Sequence, residues 1–385
     1  MANSKLDQLI DALLELKKGN KRFFLKSIRD YYPRCLSIYI NSACNLRCLH
    51  CDCPREKYSL DNPELSAEEW EEIIRKFAAR KGELIAIIGR EPLLTADSRK
   101  KVYTVIMTAK KYGLKCGLVN NGSFFQKFIE EYPNAKMDYI DFSIEGLKEA
   151  HEKIRRGSDF KTIESAIKLA VKSKVAEDIY LATTLTNLNY QKIEKFFNHF
   201  RKIGKFKYVF HTLVPTSSHK RDDDRQNDRL KVSSEIYIKE ILPALEKMSK
   251  HASILLDIYP VSFKNFSEFV SKILGDLIYI NEEFVFAEKD DFSLRFTSIL
   301  NTLVSALIVS PDGKVISMDD LPRKNCSENN MGNMLDALEI KQHPNFKEIK
   351  RKVNQINKNC FNKICFLPCL GQKTDCNFLK RLERK

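Results

Sequence analysis

The sequence of 385 residues predicts an α/β protein, a partial (β/α)6 barrel followed by a smaller, cysteine-rich α+β domain. Three observations carry that reading. Between about residues 36 and 214, short β-rich runs alternate with amphipathic helical stretches in six units, the pattern of parallel strands with helices outside them. The length exceeds what one small core occupies, so two packed regions are expected. Five of the 11 cysteines lie beyond residue 320, which sets the C-terminal part apart in composition.

The elements follow in order. Residues 1–35 carry apolar residues at helical spacing and read as an N-terminal helical extension. The barrel is expected over 36–215, with strands at 36–40, 84–88, 114–119, 139–144, 179–185 and 207–213. The helix after the first strand starts well: Ser66 can cap it, Glu69 completes a capping box, and Trp70, Ile73, Ile74 and Phe77 form one apolar stripe. Gly113 and Gly204 read as the ends of two later helices. Residues 216–300 form a connecting region, opening with the polar, aperiodic stretch 217–231, an exposed loop. A last domain spans 301–385; it begins with two apolar runs around Pro311-Asp312-Gly313, a hairpin signal.

Composition narrows the class. Hydrophobic residues at 43%, with 13 Gly and 12 Pro, describe an ordinary folded chain. Charged residues interrupt the N-terminal apolar pattern too early for a secretory signal, and nothing approaches the roughly 18 to 20 apolar residues of a membrane span. A cytoplasmic protein without membrane contact is expected. In that reducing setting cysteines point to metal or catalysis rather than disulfides, while the isolated Cys35 and Cys116 read as small buried hydrophobes. The net charge of +14 suits an acidic partner. It is spread along the chain, and no nucleic-acid-binding motif accompanies it, so nucleic acid has little support.

The chemistry concentrates in CNLRCLHC, where Cys44, Cys48 and Cys51 follow the first strand in a CxxxCxxC spacing. Three thiolates can hold three irons of a [4Fe–4S] cluster and leave the fourth open to a cosubstrate. A closed zinc site would need a fourth ligand, for which Cys53 or His50 is at hand.

With these residues the sequence resembles the radical S-adenosylmethionine (SAM) superfamily. GREPLL at 89–94 looks like that family's GGEP motif, VNNG at 119–122 its TNG turn, and SIEG at 143–146 with HEKIRRG at 151–157 its SxDG and HxxxR elements. The resemblance covers about residues 36–214. It implies that Cys44, Cys48 and Cys51 bind the cluster while SAM chelates the unique iron, with Cys53 not a ligand. It further implies that His50 packs beside adenine, that Gly89 lets the backbone approach, and that Glu91 accepts from the SAM ammonium. Asn121 matches the turn, Ser143 and Arg155 contact SAM, and Thr184 or Asn187 reaches the ribose. Arg155 would pair with the SAM carboxylate; its plain alternative is a surface cation at a helix start. Arg90 departs from the motif by replacing its second glycine. An external one-electron donor such as flavodoxin or ferredoxin is also implied.

Cys326, Cys360, Cys365, Cys369 and Cys376 lie in a stretch that resembles the SPASM or Twitch extensions of some members, which carry auxiliary iron–sulfur clusters. The spacing departs from theirs, and Met318 stands where a first cysteine is often placed. Five cysteines suffice for one four-iron cluster and not for two. Zinc is an alternative, since four thiolates suit it equally. The resemblance implies reductive SAM cleavage to a 5′-deoxyadenosyl radical that takes hydrogen from a substrate carbon. The first expectation is maturation of a peptide or protein; the alternative is a dehydrogenase or dehydratase acting on a small metabolite such as an amino sugar. Only 43 residues precede Cys44, few for the fused peptide-recognition domain of some maturases.

Overall fold

The computed structural model describes residues 35–51, 63–213, 229–258, 279–280, 285–289, 291–296 and 306–316. The N-terminal extension, Cys53 and the late cysteines lie outside the described residues. In chain order the first elements are β1 (Cys35–Tyr39), β2 (Arg47–Cys48), α1 (Ala67–Ala79), β3 (Leu84–Ile88), α2 (Ala96–Lys111), β4 (Lys115–Asn120), α3 (Phe125–Glu131) and β5 (Met137–Ser143). They continue as α4 (Lys148–Ile154), β6 (Arg155–Arg156), α5 (Phe160–Ser173), β7 (Ala176–Leu185), α6 (Ile193–Phe200) and β8 (Lys207–Thr212). A helix then runs from α7 (Ser234–Ile236) through a π-helical turn, Tyr237–Ile241, into α8 (Leu242–Ser249). Last come β9 (Ile254–Ile258), β10 (Tyr279–Ile280), β11 (Val285–Lys289), β12 (Phe292–Phe296), β13 (Ala306–Val309) and β14 (Val315–Ile316).

All six predicted strands form, and they pair in parallel in the order β1, β3, β4, β5, β7, β8. The fold is the expected parallel α/β sheet, open rather than closed among the described residues. Alternation along the strands explains its two faces. Leu36, Ile38, Ile85, Ile87, Leu118, Ile140, Phe142, Leu181 and Phe210 point to the helices and are fully buried. Gly89, Gly117 and Tyr139 lie toward the other, concave face: a Cβ on Gly117 would come within 2.0 Å of the Tyr139 ring.

Local sequence accounts for the helix ends. Ser66 Oγ accepts from the Glu69 N–H at 3.2 Å, and the Glu69 carboxylate accepts from the Ser66 N–H at 2.8 Å, the predicted capping box. Behind it Trp70, Ile73, Ile74 and Phe77 are buried as one stripe. Gly113 takes φ +70° just after the α2 C-cap, Tyr112. Gly204 is different: α6 ends with Arg201 as its C-cap, and Gly204 has no left-handed backbone. A Cβ there would stand 3.1 Å from Val171 Cγ2, so that glycine serves close packing against α5. β7 begins three residues earlier than its apolar run, because Ala176 is already registered with Met137 of β5.

The sheet also runs past the expected barrel. β9 pairs parallel to β8 and β12 parallel to β9, with β11 and β10 following antiparallel. β13 and β14 do form the predicted hairpin, with Gly313 at φ +82° in its turn. Yet β13 lies parallel to β1 in this same sheet, from Cys35↔Ala306 to Ile38↔Val309. Cys116 is buried as expected, whereas Cys35 is only half-buried. Residue 230 of the charged stretch is no exposed loop residue either: Leu230 packs with Leu49 and Leu213. Among the described residues no helix is long and apolar enough to cross a membrane.

Candidate functional site

The C-terminal ends of the parallel strands converge on the cysteine loop, which leaves β1 and is tied down on three sides. Asn41 Nδ2 donates to the Glu91 carbonyl at 2.7 Å, and the Glu91 N–H donates to the Ala43 carbonyl at 3.1 Å. The Ser42 N–H and hydroxyl both donate to Glu64 Oε1. Asn45 donates to Ser123 Oγ and accepts from Asn121 Nδ2 at 2.9 Å. Further along, β2 pairs with β6, which places Cys48 opposite Arg155 and Arg47 opposite Arg156.

Within this frame Cys48 is buried while Cys44 and Cys51 are half-buried. The Cys51 N–H donates to the Cys48 carbonyl at 3.3 Å, a turn that keeps the two close. Burial pushes the Cys48 thiol up to about 12, against the opposing pull of Arg155, and burial likewise raises the Cys44 thiol. Without a compensating cation these groups rest protonated.

Glu91 sits on the loop after β3 and is fully buried. Its Oε1 accepts from the Leu93 N–H at 3.1 Å and its Oε2 from the Asn121 N–H at 2.9 Å, which joins the β3 and β4 loops. Burial still holds its carboxyl up at about 7, above the usual carboxylate range, despite both N–H donors. Gly89 takes φ +105°, and a Cβ there would meet the Tyr39 ring at 2.3 Å; the neighbour that demands glycine is thus a protein ring.

A second network centres on Glu145, a residue within the motif SIEG to which no role was assigned from sequence. Its Oε1 accepts from Arg155 Nε at 3.0 Å and Nη2 at 2.8 Å, and its Oε2 accepts from the Thr184 N–H at 2.8 Å. His50 Nε2 lies 3.6 Å from the same Oε1. Burial alone would raise this carboxyl, but Arg155, His50 and the Thr184 N–H together hold it below its ordinary value. Arg155 is largely buried, which corrects the surface-cation alternative; its Nη1 stands 3.9 Å from Cys48 Sγ.

Two buried side chains brace this network. His151 Nδ1 accepts from the Glu145 N–H at 3.2 Å, and its Nε2 meets Ser158 Oγ at 2.8 Å, so the neutral ring carries its proton on Nε2. Asn189 Nδ2 donates to the Glu145 and Thr184 carbonyls, and its Oδ1 accepts from the Thr186 N–H at 2.7 Å. Asn187 is engaged elsewhere, with Arg229 and Leu230. The Ser143 hydroxyl makes no side-chain hydrogen bond among the described residues.

The structure therefore gathers Cys44, Cys48, Cys51, His50, Glu91, Asn121, Arg155 and Thr184 around one strand-end region. Sequence reasoning missed Asn45, Glu145 and Asn189, and it missed a pair beyond them: His211 on β8 faces Asp257 on β9, Nδ1 to Oδ2 at 3.4 Å. For Asn45, Glu145 and Asn189 the available signal was their place just beyond the ends of predicted strands, where Asn and Glu are unusual unless bonded; Asp257 lay in a region where no strand was expected.

Comparison with known proteins agrees with the geometry. Residues 38–200 match the family model described as the Radical SAM superfamily. Molybdenum cofactor biosynthesis protein moc-5 of Caenorhabditis elegans is 30% identical over 161 residues, 41% of this chain and 26% of that protein. AdoMet-dependent heme synthase of Methanosarcina barkeri is 26% identical over 196 residues, 50% of this chain and 54% of that protein. The chain thus spans about half or less of these relatives' length. Among solved structures, Streptococcus suis SuiB bound to S-adenosylmethionine superposes with TM-score 0.60 at 13% identity, covering 83% of this chain and 68% of SuiB. Native anSMEcpe with bound AdoMet gives TM-score 0.57 at 17% identity, covering 91% of this chain and 95% of that one. At such identities the shared feature is the fold.

Proposed function

The chain carries a radical SAM superfamily domain over residues 38–200, and on that premise we propose that it reductively cleaves SAM and abstracts hydrogen from a carbon of a peptide or protein substrate. The observation that carries the reading is the cysteine loop, locked at once to Glu91, Asn121 and Arg155.

The residues fit a four-iron cluster. Among the described residues no three His, Cys, Asp or Glu side chains gather at one point, as a single zinc ion would need. A cluster asks for less, because each thiolate takes a different iron. Buried thiols raised by desolvation are discharged by binding a metal, which deprotonates them outright. When bound, the cluster supplies an electron to SAM, and the electron comes from an external donor such as flavodoxin or ferredoxin.

The chain's own residues position and shield. Cys44, Cys48 and Cys51 hold the irons. Glu91 keeps lone pairs beyond those used by Leu93 and Asn121, and these accept from the SAM ammonium. Glu145 occupies Arg155 Nε and Nη2, which leaves Nη1 as the donor turned toward the Cys48 side. His50, Gly89, Ser143 and Thr184 complete the SAM surface, with His50 fixed against Glu145. The late cysteines Cys326, Cys360, Cys365, Cys369 and Cys376 hold one auxiliary iron–sulfur cluster.

Support for a peptide comes from the SPASM-like C-terminal sequence, from the net charge of +14, which suits an acidic leader, and from a fold shared with SuiB, solved with its precursor peptide SuiA. A second reading, chemistry on a small metabolite, is favoured by the sequence relatives, among them GTP 3′,8-cyclase of Aquifex aeolicus, 30% identical over 149 residues. The test of the shared step is anaerobic reconstitution with iron and sulfide, dithionite and SAM. Formation of 5′-deoxyadenosine by the wild type and its loss in Cys44→Ala, Cys48→Ala and Cys51→Ala is expected; retention in any of the three sinks the assignment.

A further inference from the structure

On the concave face below this site stands a carboxylate with one oxygen unpartnered among the described residues. Asp141 lies on β5 two residues before Ser143, between Val119 of β4 and Tyr180 of β7 in the ladder. Ile140 and Phe142 on either side of it point to the helices and are fully buried there, Phe142 with its ring edge-on to Phe125. Asp141 therefore projects to the opposite face, the one that carries Tyr139 and Ser143. Its Oδ1 is sealed from solvent and has no hydrogen-bond partner among the described residues.

Such a group is costly. A buried carboxylate oxygen left without a donor forfeits its hydration with nothing in return, and native structures seldom keep one without a use. Burial raises the Asp141 carboxyl to about 6, with His211 and then Arg155 pulling the other way.

The surroundings select the missing partner. Two residues back on β5, Tyr139 meets Tyr180 in an edge-on contact, ring centroids 5.9 Å apart, and Lys207 Nζ already stands 5.5 Å from the Tyr180 centroid. Aromatic faces beside a carboxylate favour a cation over a neutral donor. Across the face, His211 Nδ1 stands 3.4 Å from Oδ2 of the buried Asp257, a second carboxylate on the same side.

We propose that Asp141 binds a protonated primary amine of the substrate, seated over the Tyr139–Tyr180 pair and facing His211. The proposal rests on the reading that this concave face holds the reacting substrate. A lysine side chain in a peptide and the amine of an amino sugar share this chemistry.

Calorimetric titration of the iron-loaded protein with SAM present decides the matter, with Nα-acetyl-lysine methylamide and glucosamine as probes and their uncharged counterparts, Nα-acetyl-norleucine methylamide and glucose, as controls. At least one amine is expected to bind saturably while its control does not, and Asp141→Asn is expected to weaken it by at least about tenfold through loss of a charge-assisted bond. The preferred amine tells a peptide source from a sugar. Binding of neither amine, equal binding of amine and control, or unchanged affinity in Asp141→Asn overturns the proposal; the amine–control comparison needs only the wild type and holds even where the variant fails to fold. 5′-Deoxyadenosine formation measured on the same preparation without probe reports separately on the SAM-cleaving reading.

Discussion

Arg155 gives two of its donors, Nε at 3.0 Å and Nη2 at 2.8 Å, to a single oxygen of Glu145, a carboxylate with no exposure of its own. The pair joins the end of β5 to the segment that bridges the cysteine loop. Its charges are matched chiefly by each other, with the Thr184 N–H and the His50 ring beside Glu145. Removing one partner leaves the other buried and uncompensated, so Glu145→Gln or Arg155→Ala should each cost about 3 to 5 kcal/mol. The double variant should lose clearly less than the sum, because each single change already breaks the same contact. Urea denaturation of the four proteins measures this; additive losses would show that the two do not act as a pair.

His151 supplies a pH-dependent term. Burial, helped by Arg155, holds its folded-state value down at about 4 against an ordinary 6.5. The unfolded chain therefore binds the proton more tightly between those values, and stability rises with pH through that window. The contribution is complete above about pH 6.5 and is lost toward pH 4, a change on the order of 3 kcal/mol. Titration of the imidazole by NMR, together with denaturation at pH 5 and 7, checks both halves. A folded-state imidazole titrating near 6.5 would contradict the prediction.

Gly89→Ala should destabilise the chain by about 1 to 3 kcal/mol, since φ +105° is a conformation other residues avoid. The clash with Tyr39 adds to that cost. Tyr39→Ala in the Gly89→Ala background should recover the contact share alone, leaving the backbone share in place. Full recovery of the denaturation midpoint would assign the whole effect to the ring.

For the late cysteines, replacing Cys365 and Cys369 together should lower the iron content by about one four-iron cluster per chain, because a cluster normally takes four thiolates. SAM cleavage without substrate should largely survive, as Cys44, Cys48 and Cys51 lie on another part of the chain. Iron and zinc analysis with Mössbauer spectroscopy compares wild type and variant. Unchanged iron with a fall in zinc would make the late site structural zinc and remove the main support for a peptide substrate.

What the sequence determined by itself was everything written in short spacing. The six strands and the Ser66–Glu69 capping box were visible because apolar period and local donors fix them within a few residues. The cysteine spacing and the motifs at 89–94, 119–122 and 143–146 were visible for the same reason: each is a contiguous stretch at a strand end. Tertiary structure alone decided the rest. That β13 lies beside β1, more than 250 residues away in sequence, follows from main-chain hydrogen bonds that no hydropathy pattern encodes. Arg155 looked as ready for solvent as for a ligand until Glu145 was placed against it. Asp257 stands opposite His211 only because β9 adds to the sheet beside β8. Asp141 was one acid among many along the chain, and only the fold shows its Oδ1 buried without a hydrogen-bond partner among the described residues.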